Sequence, residues 1–229
     1  MDSKVVNKAI RDVLRPSLKE NGFIKFTGRD SWRVKKDTIE VINFQSFNSY
    51  NAEILGVTSF SFGVNLGVYY KGINSIRFAF KISKDYPKEY ECQARRSLLK
   101  NIEQEYSRPD VWYIEKNGSN IEDCIIDVRN ILLEMGLDWL DRFSDLNYAL
   151  NAFCEKEETF LHNSIAVEMI GGRPFSIARA EAISGICKSL NKIQEAIDYF
   201  KKVETDPFYK NKDVDIQSKV DALKLLLGN

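Results

Sequence analysis

The sequence predicts an α+β fold: a mainly antiparallel sheet of four or five strands with helices on one face, followed by a C-terminal helical hairpin. Three observations carry this. Between positions 57 and 70 the even residues are Thr58, Phe60, Phe62, Val64, Leu66, Val68 and Tyr70, while the odd ones are mostly small or polar. A period of two sustained that long is a strand with one buried face. Ile121, Ile125, Val128, Leu132 and Met135 recur at three- and four-residue steps, the stripe of an amphipathic helix ending at Gly136. Residues 176–190 and 192–203 read as paired helices with Ile183, Cys187, Ile193, Ala196, Ile197 and Phe200 facing inward.

The remaining elements follow in order. Residues 3–20 form an amphipathic helix on Val6, Ile10, Val13, Leu14 and Leu18, kinked at Pro16 and stopped at Asn21-Gly22. The period then drops to two. Ile24 with Phe26, and Trp32 with Val34, alternate with polar residues, with turns at residues 27–30 and 36–37. Residues 38–47, rich in β-branched and aromatic side chains, form the next strand. After Tyr86-Pro87, residues 89–106 look helical, with Cys92, Leu98, Leu99 and Ile102 inward. Residues 111–114 make a short strand closed by Asn117-Gly118, and Ser144 caps a helix over residues 145–156. Gly171-Gly172-Arg173-Pro174 punctuates the chain before the hairpin, which resembles one tetratricopeptide-type unit and needs a surface to cover its apolar side. The expected organisation is an α+β domain over residues 1–158 and a helical extension over residues 159–229 docked on it.

Composition narrows the function classes. The 229 residues are 44% hydrophobic and 29% charged with zero formal net charge, as in a globular protein and unlike a disordered one. No apolar run approaches the roughly 20 residues that span a bilayer, and charges interrupt the N-terminal apolar positions, so a cytoplasmic protein is expected. The neutral total hides an asymmetry. Residues 1–36 hold ten basic against four acidic side chains, and residues 121–158 hold ten acidic against three basic. Such a distribution means either a basic surface for a polyanion or two parts of one fold that attract each other. Cys92, Cys124, Cys154 and Cys187 lie at least 30 positions apart, without the close spacing of a zinc or redox motif, so four free thiols are expected.

The sharp catalytic signatures are absent from the sequence. His162 is the one histidine, so any Ser–His or Cys–His pair would have to use it; beside Phe160 and Leu161 it reads as a packed or solvated side chain. No nucleophile elbow, phosphate-binding loop or dinucleotide fingerprint occurs, and Gly63, Gly67 and Gly72 lie in and just after a strand. Asp123, Asp127, Asp138, Asp141 and Asp145 fall at helical spacing opposite an apolar stripe, the pattern of a solvated face. No metal, no cofactor and no catalytic residue is therefore assigned.

Several features coincide in order: Leu18 with Gly22-Phe23, Trp32, Val41-Ile42-Asn43-Phe44-Gln45-Ser46, Phe62-Gly63-Val64-Asn65-Leu66-Gly67-Val68, Glu91-Cys92, Arg95-Arg96, Val111-Trp112 and Trp139-Leu140-Asp141-Arg142-Phe143. Over residues 5–155 this resembles a bacterial family known only as a domain of unknown function, numbered forty-three-oh-four. The resemblance implies an α+β fold and a bacterial or mobile-element origin, and brings no activity. Its recurrent polar positions fall on Gln45, Asn65, Cys92 and Arg95, which serve either as structural hydrogen-bonding and core groups or as a site.

Strand parity places Ile24, Phe26, Trp32, Val34, Ile42, Phe44, Phe62, Val64 and Leu66 under the helices. The same parity sends Lys25, Arg33, Lys35, Asn43, Gln45, Ser61 and Asn65 to the second face. The binding residues are accordingly expected among Lys25, Arg33, Lys35, Asn43, Gln45, Asn65 and Arg95. The expected function is a non-catalytic protein-binding module, an inhibitor, immunity or regulatory factor whose partner is another protein. A nucleic-acid or nucleotide-binding module using the basic N-terminal segment and the polar sheet face is the alternative, and an enzyme with an unrecognised polar site the third reading.

Overall fold

In the computed structural model, residues 3–73, 85–104, 108–155, 157, 159–161, 165–209 and 215–227 are described. Among them the chain forms one antiparallel sheet of seven strands: β1 (Lys25–Phe26), β2 (Asp30–Val34), β3 (Thr38–Ser46), β4 (Phe62–Tyr70), β5 (Ala94–Ser97), β6 (Thr159–Leu161) and β7 (Ile165–Ile170). Their spatial order is β1-β2-β3-β4-β5-β7-β6. The α+β class is as the sequence predicts, with more strands than the four or five expected. Two differences account for the extra strands. Residues 89–106 are not a helix: Glu89–Glu91 is a single 3-10 turn, and β5 follows it. The Ala- and Arg-containing stretch has helical composition, but pairing with β4 on one side and β7 on the other overrides local preference. Residues 159–170, expected to open the helical extension, instead supply β6 and β7 of the same sheet.

The first helix is built in three parts, α1 (Ser3–Ala9), a π-helical turn (Ile10–Leu14) and α2 (Arg15–Glu20). Pro16 at the start of α2 has no N–H for the preceding turn and its ring crowds it, so the widened π turn sits just before it. After α3 (Ser49–Leu55), a second such turn, Leu132–Gly136, joins α4 (Ile121–Ile131) to α5 (Leu137–Ser144). Gly136 does not stop the helix. Its backbone is helical, and a Cβ there would come 2.9 Å from Leu132 Cδ2 and 3.6 Å from Leu66 Cδ1, so glycine lets this helix approach the sheet. The π turn also rotates Met135 off the apolar stripe and leaves it exposed. Asp145 rather than Ser144 caps α6 (Leu146–Glu155), accepting from the Asn147 and Tyr148 N–H groups.

One core cluster runs from Val6, Ile10, Leu14 and Leu18 through Phe44, Phe62, Val64 and Leu66 to Val128, Trp139, Phe143 and Phe153, then on to Ile183, Ile197 and Phe200. The helical hairpin, α7 (Ile177–Leu190) and α8 (Ile193–Thr205), thus shares the core of the sheet, as does α9 (Ile216–Leu227) through Ile216, Val220 and Leu223. Every residue expected to face inward on the hairpin is buried. At Gly185 an added Cβ would lie 2.2 Å from Ile73 Cγ1, so glycine makes the notch that receives the chain leaving β4. Arg173 grips Asp206 through two hydrogen bonds of 2.8 and 3.2 Å, closing the hairpin's entry against the end of α8. His162 lies outside the described residues.

The two faces of the sheet differ from the expectation in one systematic way. Between β3 and β4 numbering parity holds, Thr38 lying opposite Tyr70 and Asn43 opposite Asn65. Between β2 and β3 it flips, because the tight turn pairs Val34 with Ile39 and Trp32 with Val41. A one-residue change of register sends every β2 side chain to the other face. Trp32 and Val34 therefore lie on the second face, and Arg33 and Lys35 lie under the helices.

Candidate binding site

The second face is divided in two. One half is a small core of its own: Trp32, Ile39, Val41, Tyr69 and Cys92. Residues 86–92 strap across it. Trp32 Nε1 donates to the Pro87 carbonyl at 2.7 Å, Lys88 Nζ reaches Asp30 at 2.8 Å, and the Tyr86 ring meets Trp32 edge-on at 5.5 Å. Gly67 is required here. A Cβ would sit 2.6 Å from Cys92 Sγ, so the floor has no side chain where the strap's cysteine lands. Burial, reinforced by the Glu89 carboxylate, pushes the Cys92 thiol well above its ordinary range. Buried against Gly67, this thiol serves the packing of the strap on the sheet.

The described residues leave the other half open. Where β3, β4 and β5 lie side by side, α3 and residues 108–111 rise around a cleft of about 350 Å³ lined by Gln45, Phe47, Asn51, Ile54, Leu55, Gly63, Asn65, Ser97, Arg108, Asp110 and Val111. Its floor is a directed hydrogen-bond relay. Ser97 Oγ donates to Asn65 Oδ1 at 2.8 Å, and Asn65 Nδ2 donates to Gln45 Oε1 at 2.9 Å. Gln45 Nε2 ends the relay and donates to nothing among the described residues. Register builds this arrangement, since Asn65 faces Asn43 on one side and Ser97 on the other, while Gln45 faces Gly63. In the wall, Arg108 holds Asp110 through two bonds of 3.0 and 2.6 Å. The α3 rim is fixed by Asn48, whose side chain accepts from the Asn51 N–H at 2.7 Å, and by Gly56, which ends the helix in the left-handed conformation. On this rim Tyr50 and Ile54 are 71% and 65% exposed, large for apolar side chains one helical turn apart.

The seven sequence-predicted residues are thus distributed unequally. Gln45 and Asn65 form the cleft floor, and Asn43 adjoins it, donating to Asp30 Oδ1 at 2.7 Å. Lys25 and Arg95 lie on the strapped half, Lys25 with its ammonium 5.5 Å over the Tyr86 ring and Arg95 paired with Glu89 at 2.6 Å. Arg33 and Lys35 leave the second face altogether. Both bind the fully buried Glu40 carboxylate, Lys35 at 2.8 Å, and both reach Asp141 on α5, at 2.9 and 2.5 Å. Ser144 Oγ donates to the same Glu40 at 2.6 Å. This network pairs the basic N-terminal segment with the acidic helices, the internal attraction that the charge asymmetry allowed. Ser61, also expected on the open face, is buried beneath residues 111–114, where its Oγ accepts from the Ile114 N–H at 3.0 Å.

Sequence reasoning missed Ser97, Asn51, Ile54, Arg108 and Asp110. Ser97 was hidden by the helical composition around it. The α3 rim had a signal, Asn48 as cap and Gly56 as stop. Among the described residues no group of three His, Cys, Asp or Glu side chains is gathered as a metal site. None of their helices is long and apolar enough to cross a membrane.

No curated protein and no solved structure matches the chain. A family model does match, over residues 14–142, and this span contains β1–β5, the strap, α3 and the whole cleft. The chain belongs to the family described as Domain of unknown function (DUF4304).

Proposed function

We propose that this protein is a non-catalytic binding module, an inhibitor, immunity or regulatory factor of a bacterium or mobile element, acting in the cytoplasm on another protein through the open half of the sheet's second face. One observation carries the reading: a cleft that the described residues leave uncovered, whose hydrogen-bond relay ends in Gln45 amide donors that none of those residues uses, beside the exposed Tyr50 and Ile54. An apolar anchor beside polar groups that still have hydrogen-bonding capacity is the composition of a recognition surface. A protein is preferred to a nucleic acid because three of the four basic side chains expected at the site are already held, Arg33 and Lys35 by Glu40 and Asp141, and Arg95 by Glu89.

The test is site-directed photo-crosslinking in the native host. A photoreactive residue at Tyr50 is expected to give a discrete protein adduct, while the same residue at Lys8, exposed on α1 at the far side of the sheet, gives none. Equal adducts from both positions, no adduct from either, or an adduct to nucleic acid would sink the proposal.

A further inference from the structure

The cleft's chemistry specifies what kind of segment it receives, an inference that rests on the reading of the cleft as the partner site. Among the described residues its lining contains one cation and one anion, Arg108 and Asp110, and these hold each other through two hydrogen bonds. The described lining is therefore formally neutral, and a charged occupant would lose hydration there without gaining a counter-charge. The polar groups that remain are arranged with a direction. Gln45 Nε2 offers only donors. At the other end Ser97 Oγ has given its one hydrogen to Asn65, so what it offers is lone pairs. These ends sit on β3 and β5, two strand spacings apart across the sheet and two residues apart along it, or roughly 12 Å. An extended peptide rises about 3.3 Å per residue, so roughly three to four residues span that distance and present a carbonyl to one end and an N–H to the other. Beside this line Phe47, Ile54, Leu55 and Val111 form an apolar wall.

From this geometry we infer that the cleft binds an extended, uncharged stretch of a partner protein, about three to four residues long, laid across β3–β5 with one apolar side chain against Ile54. The main-chain groups give orientation, the apolar side chain gives affinity, and salt has little effect because no net charge is neutralised.

Phage-displayed peptides of random sequence, selected on the full chain, provide the probe. The selected peptides are then measured by calorimetry against the unmodified protein, Gln45→Ala and Ile54→Asp. Both side chains are exposed, so neither change opens the core. The expected peptides are uncharged around one aliphatic or aromatic residue, and their affinity changes less than about threefold between roughly 0.05 and 0.5 M salt. Binding weakens about tenfold in Gln45→Ala, through the lost hydrogen bonds, and at least as much in Ile54→Asp. Charged peptides that weaken steeply with salt, yet are lost in both variants, overturn the neutral-segment inference while leaving the cleft as a protein site. No selected peptide, or peptides that bind both variants as tightly as the unmodified protein, overturn the cleft reading and this inference together. So does a thymidine oligonucleotide whose binding is lost in the same variants.

Discussion

The two halves of the sheet's second face share strands, pleat and solvent side, yet one is sealed and the other open. In the sealed half the row across the sheet is Trp32, Val41 and Gly67, with Cys92 of the strap filling the space above the glycine. In the open half the row is Asn43, Asn65 and Ser97: Ser97 donates to Asn65, Asn65 donates to Gln45, and Asn43 donates to Asp30. Burial of the first row releases apolar surface from water and draws the strap down. Burial of the second would have to replace every amide hydrogen bond to water, and no segment of the described chain does so. Residue type in a single cross-strand row, and not topology, decides which half is core.

The largest expected effect comes from breaking the sealed half. Trp32→Ala removes an indole that is 2% exposed together with its bond to the Pro87 carbonyl. A cost of about 3–5 kcal/mol in denaturant-induced unfolding is expected. The cleft lies at the other end of the strands, so peptide binding to still-folded protein should be unchanged. Equal loss of both would show that the halves are one cooperative unit.

A thiol probe compares the halves directly. Cys92 is buried and its thiol is pushed well above the ordinary range, first by burial and then by Glu89; Cys124 and Cys187 are buried too, each pushed up to about 12. Only Cys154 is exposed. In a Cys154→Ser background at pH 8, Gln45→Cys should react with a maleimide or disulfide reagent at least about a hundred times faster than Cys92, whose reaction waits for the strap to open. The sign of the pH effect follows. A thiol raised in the folded state contributes its full stability below its unfolded value, near 9.0 for Cys92, and that contribution is lost as pH rises beyond it. Comparable rates at both positions would show that the strap does not seal its half.

Part of this contrast is legible in the amino-acid sequence. The long strand is plain in its period of two, although it begins only at Phe62 because Thr58 and Ser61 turn the chain just ahead of it. The hairpin helices are equally plain in their inward residues. Asn65 and Gln45 stand out as amides at the odd positions of adjacent strands. What the sequence conceals is set by non-local pairing. One exception is local: the turn at residues 36–37 itself sets Val34 opposite Ile39, which numbering parity carried across the hairpin overlooks, and that single register choice carries Arg33 and Lys35 from an expected binding face to the buried Glu40. Ser97 belongs to the site only because β5 is held between β4 and β7. Charge runs mislead for a related reason, since the partners of Arg33 and Lys35 include Asp141, more than a hundred residues away.

The smallest expected stability effects lie in the open half, where they separate structure from recognition. Asn65 stands in the middle of the relay, half-buried, and bonds both Ser97 and Gln45. Asn65→Ala leaves the Ser97 hydroxyl without its acceptor, and about 1 kcal/mol of stability should be lost. Gln45 stands at the exposed end, accepting a single bond from a group that water can satisfy equally well. Gln45→Ala should therefore change unfolding free energy by no more than about 0.5 kcal/mol, a level typical of surface sites. Binding should respond in the opposite sense, because the donors that meet a partner are those of Gln45 and not those already committed within the relay. Equilibrium unfolding of both variants, set beside their peptide affinities, gives the decisive pair of numbers. If Gln45→Ala costs stability on the scale of Asn65→Ala and leaves affinity intact, the relay is a structural brace, and the open half is simply a solvated face of the sheet.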